Sequence, residues 1–396
     1  MIKRIDSISA LADKCTGCMA CADACPVKCI SQTVGADGFI YPVIDEDRCI
    51  GCGKCYSVCP IENNKKHNGE RHLYAAYSTS REIRSGGSSG GIFELLAGHF
   101  LENGYYVCGA AFDGKKLKHR IVGSKADLKP LLKSKYIQSD MQGIYNQIIE
   151  LLKNNQKVFF CGTPCQVSAL INIVPEKLHD NLFTADIICH GVPSQKVFDS
   201  YIEALEKKHG GSISDFSFRI KDNRYPHAHG YSYVITKSGK ASVVNGIYTD
   251  SSFYNAFKNY LIFRSGCYDC QYTTLQRVSD ITLADFWGIE KYDFKANSDA
   301  GVSMVITNTE KGNDAFTAIK EKTVSKEFPV QYGIDSNHCL THRTEKPKKR
   351  DAVIKEIAEN GYQSAADKYF GCSFIYRIYW LIPHGIRNLI RKIRGN

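Results

Sequence analysis

An α+β lobe followed by a larger α/β domain with a mixed sheet is the fold class that these 396 residues predict. Three observations predict it. Nine cysteines crowd between Cys15 and Cys59 in two copies of one spacing. From Leu73 onward, strand-like and helix-like segments alternate, the pattern of buried parallel strands with crossover helices. After Gly211 strands follow one another without helices, which calls for an antiparallel or mixed portion. The expected boundaries are 1–60 for the lobe, 61–72 for a linker, 73–330 for the main domain, 331–371 for a C-terminal extension and 372–396 for a basic tail.

Composition narrows the class of molecule. Hydrophobic residues at 43% and charged residues at 23% are those of an ordinary soluble globular protein. The 51 Lys and Arg exceed the 41 Asp and Glu, a net charge of +10. That excess suits acidic proteins, phosphate-bearing cofactors or an anionic membrane surface without choosing among them. The opening MIKRIDSISALADK has no apolar core of a secretory signal, so a disulfide framework is not expected, and the 17 cysteines read as metal ligands in a reducing cytoplasm. No apolar run approaches the roughly 18 residues of a membrane span. No DNA-binding segment is recognisable, so nucleic acid is not an expected partner.

Within the lobe, Cys15, Cys18, Cys21 and Cys25 recur as Cys49, Cys52, Cys55 and Cys59, each displaced by 34 positions, with Pro26 and Pro60 following. C-x2-C-x2-C lets one tight loop present three thiolates to a cube of iron and sulfide, while the fourth Cys, preceding Pro, reaches the neighbouring cube. This is the bacterial two-cluster ferredoxin-like pattern. It predicts one [4Fe-4S] cluster on Cys15, Cys18, Cys21 and Cys59 and another on Cys49, Cys52, Cys55 and Cys25. Zinc sites use paired C-x2-C half-sites instead. Cys29 falls outside the pattern and reads as a small buried hydrophobe. GADGFIYPVI (Gly35 to Ile44) reads as a hairpin, and the polar stretch Ile61 to Glu70 as the linker.

In the main domain, LYAAYST, YYVCGAAF, KVFFC, LFTADIIC, DITLADF and VSMVITN read as strands, and Ile92 to Asn103 and Ile144 to Asn154 as helices. ISDFSFRI, YSYVITK and KASVVNGIY form the helix-free run. Cys165 follows the strand KVFFC, Cys189 ends LFTADIIC, and Cys267 and Cys270 form a C-x2-C. Parallel strands end on one edge, where ligands bind. These four thiols are therefore candidates for a third [4Fe-4S] cluster, with scattered structural cysteines as the alternative reading.

FCGTPCQVSAL, ICHGVPS, the C-x2-C loop, SGGSSGG ahead of a helix, KSKYIQS and DITLADFWGIE all occur in the chain. Together they resemble the beta-subunit family of coenzyme F420-reducing hydrogenase and dehydrogenase, over about Cys15 to Asn308. The resemblance implies an FAD- and iron–sulfur-dependent oxidoreductase whose main domain binds a flavin. It implies exchange of electrons with a ferredoxin-like donor, coenzyme F420 or NAD(P)H, and admits a partner enzyme or a role in cell-surface polysaccharide metabolism.

For the FAD pyrophosphate, a glycine-rich turn feeding a helix N-terminus offers N–H groups and a positive dipole end. Ser85, Gly86, Gly87, Ser88, Ser89, Gly90 and Gly91 have that form. Lys135, between Ser134 and Tyr136, adds a charge and a stacking surface, and Gly162 and Thr163 approach the isoalloxazine. Asp285 and Trp287 end a strand, with Trp287 expected as a packed core residue. No side chain is assigned as a catalytic acid or base, because flavin N5 itself exchanges both hydride and single electrons. A competing reading is an electron-transfer adaptor that docks on a separate enzyme and has no substrate site.

The tail pairs Tyr379 and Trp380 with Arg387, Arg391, Lys392 and Arg394. Apolar residues at i, i+3, i+4 and i+7 from Ile386 predict an amphipathic helix suited to the inner membrane face.

Overall fold

The computed structural model describes residues 13–371 except 68, 70, 223–224 and 297–299, together with 382 and 386. The expected tail helix therefore lies outside the described residues. No described helix is long and apolar enough to cross a membrane.

Strands β1 (Ile30–Val34) and β2 (Ile40–Ile44) pair antiparallel in the cysteine-rich lobe. The hairpin is present, but its first strand lies upstream of the expected segment. Gly35 to Phe39 supply the turn, where Gly38 takes φ +80° and Phe39 N–H donates to Asp37 Oδ1 at 3.2 Å. The polar run Ser31–Gln32–Thr33 hid that strand from an apolar pattern.

The body is built on eight strands: β3 (His72–Ser78), β4 (Tyr105–Asp113), β5 (Lys116–Val122), β6 (Lys157–Gly162), β7 (Leu182–Ile187), β11 (Ile281–Asp285), β12 (Ser303–Thr307) and β13 (Thr323–Phe328). Their order is β13-β3-β12-β11-β7-β6-β4-β5. The four inner strands β11, β7, β6 and β4 run parallel, and antiparallel strands flank them. This is the expected mixed sheet. Val158, Phe159 and Phe160 are fully buried on alternate faces, which is why KVFFC reads as continuously apolar. The parallel run brings Gly162, Ile187 and Asp285 to one edge, and β3 also ends there at Ser78.

One face is closed by the helix Ile92–Glu102, whose Leu96 and Phe100 pack on Phe159 and Phe183. The other is closed by Ile144–Lys153 and Pro164–Ile173. Ile144, Ile148 and Leu152 recur every four residues, one stripe of a helix.

Strands β8 (Ser212–Asp222), β9 (Tyr225–Lys237) and β10 (Lys240–Ile247) form a separate antiparallel sheet, in the order β10-β9-β8. They share an aromatic core with the helices Gln195–His209 and Arg350–Tyr369, through Phe198, Phe218, Tyr233 and Tyr362. Residues read as an extension thus contribute a buried helix to this core.

The lobe is not suspended from the body. Cys18, Ala20 and Val58 join the core of Tyr145, Phe160, Val167 and Tyr272. Tyr272 OH donates to Pro60 O at 2.7 Å and Gly143 N–H to Asp23 Oδ1 at 3.0 Å. The polar stretch after Pro60 lies along the body: His67 N–H donates to Arg277 O at 2.8 Å and Lys66 to Gln271 O at 3.0 Å.

Candidate metal centres and the adjoining pocket

The repeated spacing produces a repeated backbone. Gly17 and Gly51 take φ +66°, while Met19 and Gly53, one residue before the short helices Ala20–Asp23 and Lys54–Ser57, take φ +60° and +71°. Two left-handed residues per loop curl the chain around its own thiols. Glycine adopts that conformation freely; Met19 does so at a cost of roughly 1–2 kcal/mol. Met19 is 2% exposed, so burial offsets the strain.

The first quartet is a buried one. Desolvation pushes the Cys18 thiol up to about 12, and the nearby Cys59 and Cys15 raise it further. Cys21 is likewise raised by burial and then by Cys18, Cys15, Cys59 and Cys55. Cys59 thus stands among the first three cysteines, on the cross-connected side that the spacing predicts. The second quartet is more open. Cys25, Cys49, Cys52 and Cys55 line one cavity of about 330 Å³, with Ile50, Lys54 and Cys29. Cys52 is exposed. Cys29 is buried, and its N–H donates to Cys25 Sγ at 3.4 Å.

The body assembles the third set from three segments. Cys165 lies in the first turn of the helix that follows β6, where Thr163 caps the helix and Thr163 Oγ1 sits 3.2 Å from Cys165 Sγ. Cys189 lies two residues past β7, and Cys267 ends a short turn, Ser265–Cys267. Burial pushes Cys165 up to about 12 and Cys189 well above its ordinary value. Beyond burial, Cys270 and Cys267 oppose ionisation of Cys165, and Cys267, Cys165 and Cys270 oppose that of Cys189. The four expected thiols therefore do converge. Among the described residues, no three His, Cys, Asp or Glu side chains are drawn together as one metal ion would hold them. A single zinc gathers thiolates to within about 4 Å of one another, whereas a cubane spreads them over four irons. Burial also raises Cys267 and Cys270, but Arg264 and Arg350 favour the thiolate at the former, and Arg277 and Arg343 at the latter.

Tyr145 and Tyr272 lie between the first and third sets: burial, Cys18 and Cys165 all act on both rings. A buried chain of hydrogen bonds fixes the turn carrying Cys165. Gln166 donates to Ser139 Oγ at 3.0 Å, Ser139 Oγ lies 2.8 Å from His119 Nδ1, and His119 Nε2 lies 3.2 Å from Cys161 O. Burial lowers His119 to about 4, so the imidazole is neutral, with Nε2–H donating and Nδ1 accepting.

At the same sheet edge the Ser85 to Gly91 segment splits in two. Ser85 and Gly86 finish a short helix, Arg81–Gly86, and Gly91 at φ +84° opens the helix Ile92–Glu102. Two of the loop amides are engaged internally: Gly87 N–H donates to Ile83 O and Gly90 N–H to Ser303 Oγ. Ser89 Oγ donates to Val302 O at 2.8 Å, and Ser88 Oγ accepts from Ser134 N–H at 2.7 Å, which joins the two expected segments. Lys135 Nζ donates to Pro130 O at 2.9 Å and Leu132 O at 2.7 Å; burial lowers it to about 7. The Tyr136 ring packs against Phe218, Tyr254 and Phe257. Gly162 is required by close packing, because a Cβ there would lie 2.8 Å from Phe160.

Three residues of this pocket escaped sequence reading. Lys221, from β8, donates to the carbonyls of Arg84 and Ser89, and burial lowers it to about 7. Arg84 donates to Gly301 O at 2.8 Å and lies 3.7 Å over the Tyr77 ring. Glu94 Oε2 is buried with no hydrogen-bond partner, and burial raises its carboxyl. Lys221 comes from a distant strand, and an acid in a first helical turn is too ordinary to stand out. Asp285 pairs with the buried Arg219, whose guanidinium lies 5.7 Å over Trp287. Trp287 is half-buried at this rim, not the packed core residue expected, because the ring shares the strand end with that ion pair. His190 is buried beside Asp285 and His338.

Comparison with known proteins gives three family matches. The family described as the C terminus of the coenzyme F420 hydrogenase/dehydrogenase beta subunit matches residues 155–331. Two 4Fe-4S dicluster domain families match residues 14–63 and 41–90. No curated protein matches the chain. One chain in the xenon-derivatized F420-reducing [NiFe] hydrogenase complex from Methanosarcina barkeri is 18% identical. That alignment covers 76% of this chain and 91% of the other at a TM-score of 0.42, too loose a likeness to carry weight. The chain belongs to the coenzyme F420 hydrogenase/dehydrogenase beta-subunit family, as an iron–sulfur electron-transfer protein of oxidoreductase type with a 4Fe-4S dicluster segment ahead of the family domain.

Proposed function

We propose that this protein passes single electrons between a protein donor or acceptor at its N-terminal lobe and FAD in the main domain, through two lobe clusters and a third on Cys165, Cys189, Cys267 and Cys270. The flavin would exchange a hydride with coenzyme F420, NAD(P)H or a reducible metabolite. The observation that carries the reading is the burial of the first and third thiol sets on either side of Tyr145 and Tyr272, at the edge that also holds the Ser85 to Gly91 segment. Clusters supply one-electron steps and the flavin converts them to a two-electron transfer.

The chain's own residues fit these groups. Thr163, Arg277 and Arg343 stabilise thiolate sulfur. Lys221, Arg84 and Lys135 suit the pyrophosphate. Glu94 Oε2, a buried acceptor without a donor, suits a ribityl or ribose hydroxyl. Anaerobic purification with cofactor extraction and iron counting tests the reading. Roughly twelve irons and one FAD per chain are expected. About eight irons would remove the third cluster, and protein that binds no FAD would favour the adaptor.

A further inference from the structure

Arg264 is completely buried, and no carboxylate pairs with it among the described residues. Its guanidinium donates to the carbonyls of Cys15 and Ile40 (2.8 Å for the latter) and to Gln138 Oε1 at 3.0 Å. It lies 4.3 Å over the Tyr41 ring. Its backbone belongs to the other side: the N–H donates to Val192 O and the carbonyl accepts from Cys267 N–H, both at 3.0 Å. The two segments touch closely. A Cβ on Gly266 would lie 2.8 Å from Lys14 O, and one on Gly17 would lie 2.7 Å from Arg264 Nη1.

A buried cation without an anionic partner is costly, and carbonyl dipoles offset only part of that cost. The anionic partner that the geometry offers is the thiolate-bound iron on either side. One electron arriving on a cluster adds one negative charge and moves no proton, so a fixed cation beside it favours the reduced state. We propose that Arg264 is a positioning residue that clamps the Cys15 and Cys267 segments together and holds one positive charge between them, raising the reduction potential of the iron–sulfur groups on both. The Cys267 half of this rests on the third-cluster reading, and the Cys15 half does not.

The test is an EPR-monitored potentiometric titration, with dithionite as electron source, on the anaerobically purified full chain with its irons counted. Arg264→Met is expected to keep its iron and move the potential of the cluster nearest Cys15 to more negative values, while Arg264→Lys stays close to the parent. Unchanged potentials in an iron-replete Arg264→Met would overturn the proposal. If Arg264→Met cannot hold iron, Arg264→Lys decides: parental iron and potentials support a charge requirement, and loss of iron there too reduces Arg264 to a mechanical lock and overturns it. The parent's iron count reports on the third cluster separately, so neither failure is mistaken for the other.

Discussion

The two cysteine loops of the lobe are near-copies in sequence and in backbone dihedrals, yet they occupy opposite environments. The set containing Cys18 and Cys21 is pressed into the body beside Tyr145 and Tyr272, whereas the set containing Cys52 and Cys55 lines an open cavity with exposed Cys52 and Ile50 at its rim. The difference teaches that a repeated chelating loop fixes what is bound, and its surroundings fix what the bound group is for. An open set suits exchange with another protein. An enclosed set suits passage inward, and its potential answers to buried neighbours such as Arg264.

Cysteine replacement gives the largest expected effects and tests this contrast directly. Cys18→Ser and Cys52→Ser should each lose about four of the irons. Only Cys18→Ser should also lower Tm by several degrees, since Cys18 belongs to the shared core. Equal Tm losses would erase the distinction. Cys270→Ser should lower the iron count by about four while both lobe EPR signals persist; an unchanged count would take the third set out of the conduit.

A pH effect follows from His119. Its folded pKa of about 4 lies below the ordinary 6.5, because burial penalises the imidazolium. Between those values the unfolded chain binds the proton and the folded chain does not. Stability is therefore full above pH 6.5 and falls as pH drops toward 4, by up to roughly 3 kcal/mol. The urea midpoint of the parent should decline between pH 7 and pH 5, and that of His119→Gln should decline less. Parallel curves would show that another group governs the acid limb.

At the far end of the proposed conduit, Lys221→Met should weaken FAD retention about tenfold, the worth of ~1.4 kcal/mol. Glu94→Gln, which keeps an acceptor oxygen, should weaken it only a few-fold. Equilibrium dialysis of FAD against each variant measures both, and parental affinity in Lys221→Met would move the flavin away from the Ser85 to Gly91 segment.

How much of this was legible beforehand follows the range of the interactions. Spacing and Gly17/Gly51 specified the two lobe sites, because each loop closes on itself within about ten residues. Strand–helix alternation disclosed most of the body and the helix-free sheet. β5, with its charged KLKHRIV, and the polar first strand of the hairpin did not show, since apolar pattern is a weak signal where one face meets water.

The sequence alone determined that cubane-type ligation belongs in the first 60 residues, and that a parallel core would present its strand ends together. Only the tertiary structure decided which loop lies inside and which outside. It also brought Cys165 within reach of Cys270, and Lys221 and Glu94 to the same loop. The physical reason is locality: a chelating loop is written in adjacent dihedrals, whereas the surroundings of a thiol depend on sheet order and on lobe-to-body packing between residues more than a hundred positions apart.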